Sequence, residues 1–351
     1  MTKRSIRSVG TEELAAWMRE HDQPQFRAKQ IQDWLNSKLV MSFEEMQNIP
    51  KALREMLDAE FSVSSVAVEE EFRANDETVK WVLRLQDGAR IETVLIHAPT
   101  RCTVCVSTQV GCAVRCAFCV SGHNGLVRNL TSDEIVDQVL LASHEAGKFV
   151  DNIVVMGSGE PLHNLDNLIP ALTRICDQEN GFGLGARHIT ISTSGIPNGI
   201  KRLAALQRPW NLAVSLHAPD DRIRAMIIPD KCRYPIEDIL EACEYYREST
   251  GRMITFEYVL VDGINASESD ARKLARIARL ARAKVNLIPL NSGAAEWKAP
   301  SQDDSRRFLE MLEHCGVQAT IRLRKGDKIR AACGQLAAKK GNNGTTTPKN
   351  E

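Results

Sequence analysis

The chain has 351 residues, 43% apolar and 26% charged, with 45 basic and 45 acidic side chains that balance to zero. This is the composition of a soluble globular protein with room for one large domain and a smaller one. No apolar run approaches the roughly 20 residues of a membrane span, and neutrality argues against holding nucleic acid by bulk charge alone.

Residues Met1–Gly10 are polar and lack the apolar core of a signal peptide, so the expected location is cytoplasmic. A helical head follows. Thr11 is expected to cap a helix carrying Leu14, Trp17 and Met18. Arg27–Leu39 places Ile31, Trp34 and Leu35 on one face, and Met46–Leu57 reads as a third short helix. The pattern then turns to strands. Val79–Leu85 and Ile91–Leu95 flank Asp87-Gly88, a hairpin signal.

From about residue 100 apolar runs alternate with helical stretches. The runs are Ile153–Met156, Ile189–Ser192, Leu212–Leu216, Thr255–Val261, Val285–Pro289 and Ala319–Leu323. The helices are Ser132–Ala146, Leu165–Glu179, Ile236–Ser249, Ser267–Ala281 and Gln302–Cys315. Such alternation implies βα units and a parallel sheet, with function at the strand C-terminal ends. The fold class expected is α/β, a partial (β/α)6 barrel with a helical accessory domain and a small β-extension. The expected boundaries are 1–60 for the head, 61–97 for the β-hairpin extension, 98–338 for the core and 339–351 for a disordered, Gly-, Asn- and Thr-rich tail.

In a reducing compartment the ten cysteines are not a disulfide framework, and clustered ones signal metal or thiol chemistry. Cys112, Cys116 and Cys119 follow the first strand of the array with spacing Cys-x3-Cys-x2-Cys. Thiolates are soft ligands for iron–sulfur clusters and for zinc. Three on one loop can hold three irons of a four-iron cube and leave the fourth to a small molecule such as S-adenosylmethionine (SAM). The competing reading is a zinc site completed by His123.

The loop resembles the signature of the radical SAM superfamily. Four more segments join it in order: Gly157, Ser158, Gly159, Glu160 and Pro161; Ser192–Gly195; Ser215, Leu216 and His217; Ala332–Leu336. With Cys105–Cys112 leading into the loop, and with Phe26–Gln30 in the head, the chain resembles the RlmN/Cfr family of RNA adenine methyltransferases. Taken without that resemblance, Gly-x-Gly is an ordinary turn, His217 a structural histidine, and Cys105 and Cys333 two small buried hydrophobes.

The resemblance implies one 4Fe-4S cluster on Cys112, Cys116 and Cys119. It implies a SAM site from Gly159, Glu160, Ser192, Ser215, Leu216, His217 and Asn291, with Glu160 accepting from the SAM amino group. Ser158 stands where the family usually has Met, and Leu290–Gly293 replaces aromatic-Asn-Pro.

It also implies that Cys333 and Cys105 are the catalytic pair and Glu92 the proton acceptor, and that two SAM are used per turnover. An electron-poor adenine carbon cannot displace the SAM methyl group, whereas a thiolate can. Cys333 would therefore carry the methyl group, a 5′-deoxyadenosyl radical would activate it, and Cys105 would release the RNA from a covalent intermediate. The expected partners are 23S rRNA, tRNA and an electron donor such as flavodoxin, with no membrane. The favoured target is adenine carbon 2, with a Cfr-like carbon-8 enzyme as alternative. A zinc-stabilised RNA-binding protein and a glycyl-radical activase are more distant alternatives. The basic groups expected to meet RNA are Arg322, Arg324, Lys325, Lys328 and Arg330, and near the start Arg4, Arg7, Arg27 and Lys29.

Overall fold

The structure, a computed structural model, describes residues 3–123, 125–179, 181–229, 232–291, 297–322, 329, 331 and 334–336. The predicted tail and Cys333 lie outside these residues, as do Leu323, Arg324, Lys325, Lys328 and Arg330 of the predicted last strand and basic group.

The head begins with β1 (Arg4–Ser5), continues through α1 (Thr11–Glu20), α2 (Phe26–Asn36) and α3 (Lys51–Glu60), and closes with β2 (Phe61–Ser62) parallel to β1. Three predicted boundaries move. Gly10 occupies the N-cap of α1, and Thr11 is already helical. Helix α2 stops at Asn36, and beyond it Leu39 adopts a left-handed φ of 56°, which no helix continues. Helix α3 starts after Pro50, whose fixed φ and missing N–H suit a helix start, so Met46 packs in the head core from a loop. Ile6, Leu14, Met18, Ile31, Leu35, Met46 and Leu57 form that core.

The β-extension does not stand apart. Strands β3 (Val66–Arg73), β4 (Val79–Leu85), β5 (Arg90–Ala98) and β6 (Arg101–Cys105) form an antiparallel meander. The predicted hairpin turns at Gly88, φ 82°. Next come β7 (Gln109–Gly111) and β8 (Leu126–Asn129), an antiparallel pair that brackets the cysteine loop. Then follow α4 (Ser132–Glu145), β9 (Asn152–Val155), α5 (Leu165–Cys176), β10 (Ile189–Thr193), α6 (Pro197–Ala205), β11 (Asn211–Ser215), α7 (Asp221–Ile227), α8 (Ile236–Thr250), β12 (Thr255–Leu260), α9 (Glu268–Leu280), β13 (Lys284–Pro289), α10 (Gln302–His314) and β14 (Ala319–Ile321). The predicted run Ala319–Leu323 ends, within the described residues, at Ile321.

One ten-stranded sheet runs β14-β13-β12-β11-β10-β9-β6-β5-β4-β3. It is parallel from β6 to β14 and antiparallel from β3 to β6. The fold is the expected α/β partial barrel, and the meander continues its sheet. Capping explains sharp helix starts. Thr131 and Glu134 form a reciprocal capping box at α4, and Ser267 and Asp270 do the same at α9. The core between sheet and helices is continuous, with Trp81, Val104, Ile153, Ile191, Val214, Phe256 and Leu287 fully buried. No helix among the described residues is long and apolar enough to cross a membrane.

Arg7 is a brace. It is buried, donates to the carbonyls of Leu35 (2.5 Å), Val40 (2.5 Å) and Val63 (3.1 Å), and lies 3.8 Å from Asp137 on α4. It therefore joins head to barrel and cannot serve as a surface contact for RNA.

Candidate active site

A cavity opens at the C-terminal ends of the parallel strands. Its walls include Cys112, Cys116, Cys119, Met156, Gly159, Glu160, Ser192, Ser215, His217 and Asn291. The expected cluster ligands and most of the expected SAM-binding residues thus meet in one place.

The cysteine loop is held by its own backbone. Cys112 N–H donates to Gly125 O (3.1 Å), Cys119 N–H to Cys116 O (3.0 Å) and Ala117 N–H to Ile227 O (2.9 Å). Gly111 has φ 77°, and a Cβ there would meet Gly125 O at 1.9 Å, so the crossing requires glycine. Burial pushes the Cys112 thiol up to about 11 and the Cys116 thiol well above its usual range. Such thiols ionise when a metal supplies the compensating charge.

Glu160 is buried and doubly anchored. Its Oε1 accepts from Leu162 N (3.0 Å) and its Oε2 from Ser194 N (2.7 Å), while its own N–H donates to Gln109 Oε1 (2.9 Å). Carboxylate lone pairs remain for a cationic ligand. The glycines serve packing more directly than ligand approach. A Cβ at Gly157 would lie 2.6 Å from Ser107 Oγ, and one at Gly159 (φ 110°) 2.6 Å from Gln109 Cβ.

His217 is buried at a left-handed φ of 56°. Its Nδ1 accepts from Val259 N (3.1 Å), which leaves the proton on Nε2. Burial, and then Arg224, lower its pKa to about 3, so it offers a neutral donor. Phe118 sets an edge against its ring at 4.9 Å. Leu216 is placed differently from its neighbours. Its side chain is in the barrel core and its carbonyl accepts from Arg224 Nη1 (2.5 Å).

Beside this cavity lies the face of the meander that carries the other expected catalytic residues. Cys105 ends β6 opposite Val94 on β5. Glu92 lies two residues before Val94, hence on the same face, and is buried. Cys105 packs with Val94 and Leu336, and Ala331 and Met156 lean on them. Met156 also lines the cavity, so it connects the two. The chain around position 333 is tied in as well: Val120 N–H donates to Gly334 O (2.9 Å) and Ser121 Oγ donates to Leu336 O.

Three functional candidates, Lys80, Glu257 and Arg224, went unread in the sequence. Lys80 Nζ lies 3.2 Å from Glu92 Oε1, both side chains buried. Glu257 lines the cavity, accepts from Asn286 Nδ2 (2.7 Å), and has its pKa raised by burial. Arg224 is fully buried among the strand ends. Arg322, expected at the RNA, lines the cavity and faces Glu257 electrostatically. No motif marks the three that went unread. The period-2 alternation of β4 and β5, extended to Lys80 and Glu92, was the one available signal.

The residues fit a cluster and SAM. Beside the buried thiols, Arg224 Nε is a buried donor with no acceptor among the described residues, which suits an anionic group in the cavity. Among the described residues no three His, Cys, Asp or Glu side chains converge as a single metal ion requires.

Barrel, cysteine loop and strand-end cavity define a radical SAM enzyme. Residues 106–275 match the model of the radical SAM superfamily, and residues 6–63 match that of the ribosomal RNA large subunit methyltransferase N-terminal domain. A curated "Probable dual-specificity RNA methyltransferase RlmN" from Alkaliphilus oremlandii is 42% identical over 97% of this chain and 99% of its own. One of the same name from Akkermansia muciniphila is 43% identical over 94% of each. A crystal structure of a radical SAM methyltransferase from Sphaerobacter thermophilus superposes with a TM-score of 0.87 at 43% identity, covering 95% of this chain and 99% of that one. The chain belongs to the RlmN family of radical SAM RNA methyltransferases, whose cofactors are SAM and a 4Fe-4S cluster. That membership displaces the zinc-protein and activase readings.

Proposed function

We propose that the protein methylates carbon 2 of an adenine in 23S rRNA, and of an adenine beside the anticodon of tRNA, by thiol-mediated methyl transfer. The observation that carries the reading is the shared face of β5 and β6, which holds both Glu92 and Cys105, with Cys105 packed against Leu336 just beyond position 333. An adenine swung out of folded RNA can meet a base and a thiol there.

The cluster and SAM, when bound, supply the methyl group and the radical that activates it, two SAM being used per turnover. Cys112, Cys116 and Cys119 hold the cluster. Glu160 and the strand-end serines, with neutral His217 and Asn291, orient SAM through polar contacts. Cys333 is the methyl-carrying thiol. Glu92 accepts the adenine ring proton, and Lys80, 3.2 Å from its Oε1, holds the carboxylate in place. Cys105 then attacks Cys333, which breaks the bond between that sulfur and the methylene carbon. The carbon keeps the bonding pair and takes a proton to become the product methyl group. The one electron left over from radical addition would go to the oxidised cluster, and a Cys105–Cys333 disulfide is left for external reduction.

The head supplies cationic and aromatic groups for RNA. Phe26 is exposed under Arg27 (4.9 Å), Lys38 sits 3.7 Å over Trp34, and Lys29 is exposed. Domain limits at 60, 97 and 338, a cytoplasmic location and a flavodoxin-type electron donor belong to the same reading. Charge reversal at Arg324 and Lys325 is expected to weaken RNA binding and leave cluster assembly intact.

The test is anaerobic incubation of cluster-loaded protein with SAM, reductant and unmodified rRNA or tRNA fragments, followed by nucleoside mass spectrometry. A 2-methyladenosine product is expected. An 8-methyladenosine product moves the enzyme to carbon 8, and no methylated adenosine rejects the substrate.

A further inference from the structure

Arg224 on α7 has no exposed surface. Its Nη1 donates to the carbonyls of Ser215 (3.0 Å) and Leu216 (2.5 Å), and its Nη2 to that of Ser194 (2.5 Å). These carbonyls end β11 and follow β10, at the rim of the cavity. The Nε–H is buried and has no partner among the described residues. No carboxylate among the described residues lies within ion-pair distance of the guanidinium. Burial lowers its pKa to about 10, so it stays charged at neutral pH.

A buried cation without a counter-ion is costly, and carbonyl dipoles offset only part of that cost. The cysteine loop packs directly against α7. Ile227 of α7 accepts from Ala117 N (2.9 Å), and Cys112 and Val114 pack on Ile223 and Ile227. Of the groups that face the guanidinium, the Cys116 thiol when ionised attracts it most, ahead of Asp221, while Arg233 opposes.

We propose that Arg224 is the built-in counter-charge of the iron–sulfur cluster, a positioning residue that stabilises the reduced cluster and so sets its reduction potential. A cube held by three thiolates is anionic, and gains one more negative charge when a low-potential reductant delivers one electron. A fixed cation at low dielectric favours that more negative state. Its three carbonyl bonds hold the same charge at the strand ends where SAM is bound, so cluster poise and SAM site share one side chain. The inference rests on the family's cofactor and not on the identity of the RNA target.

The test uses anaerobically reconstituted wild-type, Arg224→Lys, Arg224→Gln and Arg224→Met proteins. Each is titrated with dithionite, and the reduced cluster is followed by electron paramagnetic resonance, with iron and sulfide assayed on the same samples. The lysine protein is expected to keep the wild-type potential. The neutral variants are expected to titrate lower, with a reduced-to-oxidised ratio at fixed potential at least tenfold smaller, a shift of about 59 mV for a one-electron couple. A wild-type potential in a loaded neutral variant overturns the proposal. Should neither neutral variant fold, Arg224→Lys decides: an unchanged potential upholds the charge role, and a lowered one assigns the effect to the lost hydrogen bonds and overturns it.

Discussion

Two buried cations flank the site, and they are handled in opposite ways. Lys80, on the antiparallel meander, is matched by the Glu92 carboxylate at 3.2 Å. Arg224, beside the parallel strand ends, meets carbonyl dipoles and keeps an Nε with no partner among the described residues. A matched pair stores a carboxylate in usable form. An unmatched cation is poised for an anion that the chain does not itself provide. The proposed function assigns proton transfer and thiol chemistry to the meander side, and the proposed role of Arg224 assigns the strand-end side to a negatively charged cofactor.

The comparison breaks most severely at the cofactor. Cys116→Ala removes one of three thiolates, and the purified protein is expected to lose its cluster absorbance and bound iron, with methylation falling below detection. A fully loaded, active Cys116→Ala protein would contradict the assignment of the loop.

The meander side is sharpened by Lys80→Met, which removes the cation beside a buried carboxylate. Breaking a buried ion pair on one side costs about 3–5 kcal/mol, readable by denaturant unfolding. The double variant Lys80→Met with Glu92→Gln is expected to recover much of that loss while remaining slow in releasing RNA. Equal stability of the single and double variants would show that the pair is not coupled.

A smaller effect comes from His217. Its folded pKa of about 3 lies below the unfolded value near 6.5. The unfolded chain therefore takes up the proton first as pH falls. The stabilising contribution is full above pH 6.5 and is lost progressively down to about pH 3. Between pH 6.5 and 5 the loss is about 2 kcal/mol. His217→Gln is expected to flatten that part of the stability profile, and an identical profile in the variant would contradict a neutral buried imidazole.

Legibility in the sequence follows the same division. The alternation of apolar runs and helices gave the barrel, because each βα unit carries its own periodicity. Motif spacing located Cys112, Cys116, Cys119, Glu160 and His217, because strand-end loops place neighbours in sequence near one ligand. Lys80 and Arg224 were hidden, since each acts through residues 12 or more positions away or through backbone carbonyls, and neither has a local pattern. Arg7 and Arg322 read as surface charge because a lone arginine gives no sign of burial. Helix ends shifted where Gly10, Leu39 and Pro50 imposed backbone geometry that side-chain periodicity does not encode.

The account's central claim, that two thiols carry the methyl transfer, is tested most directly by Cys105→Ala with SAM, reductant and RNA under anaerobic conditions. The account predicts a protein that accumulates RNA covalently attached to the peptide containing Cys333, seen as a shifted band and confirmed by mass spectrometry after nuclease and protease digestion. An active Cys105→Ala protein that forms methylated adenosine without any adduct would contradict it.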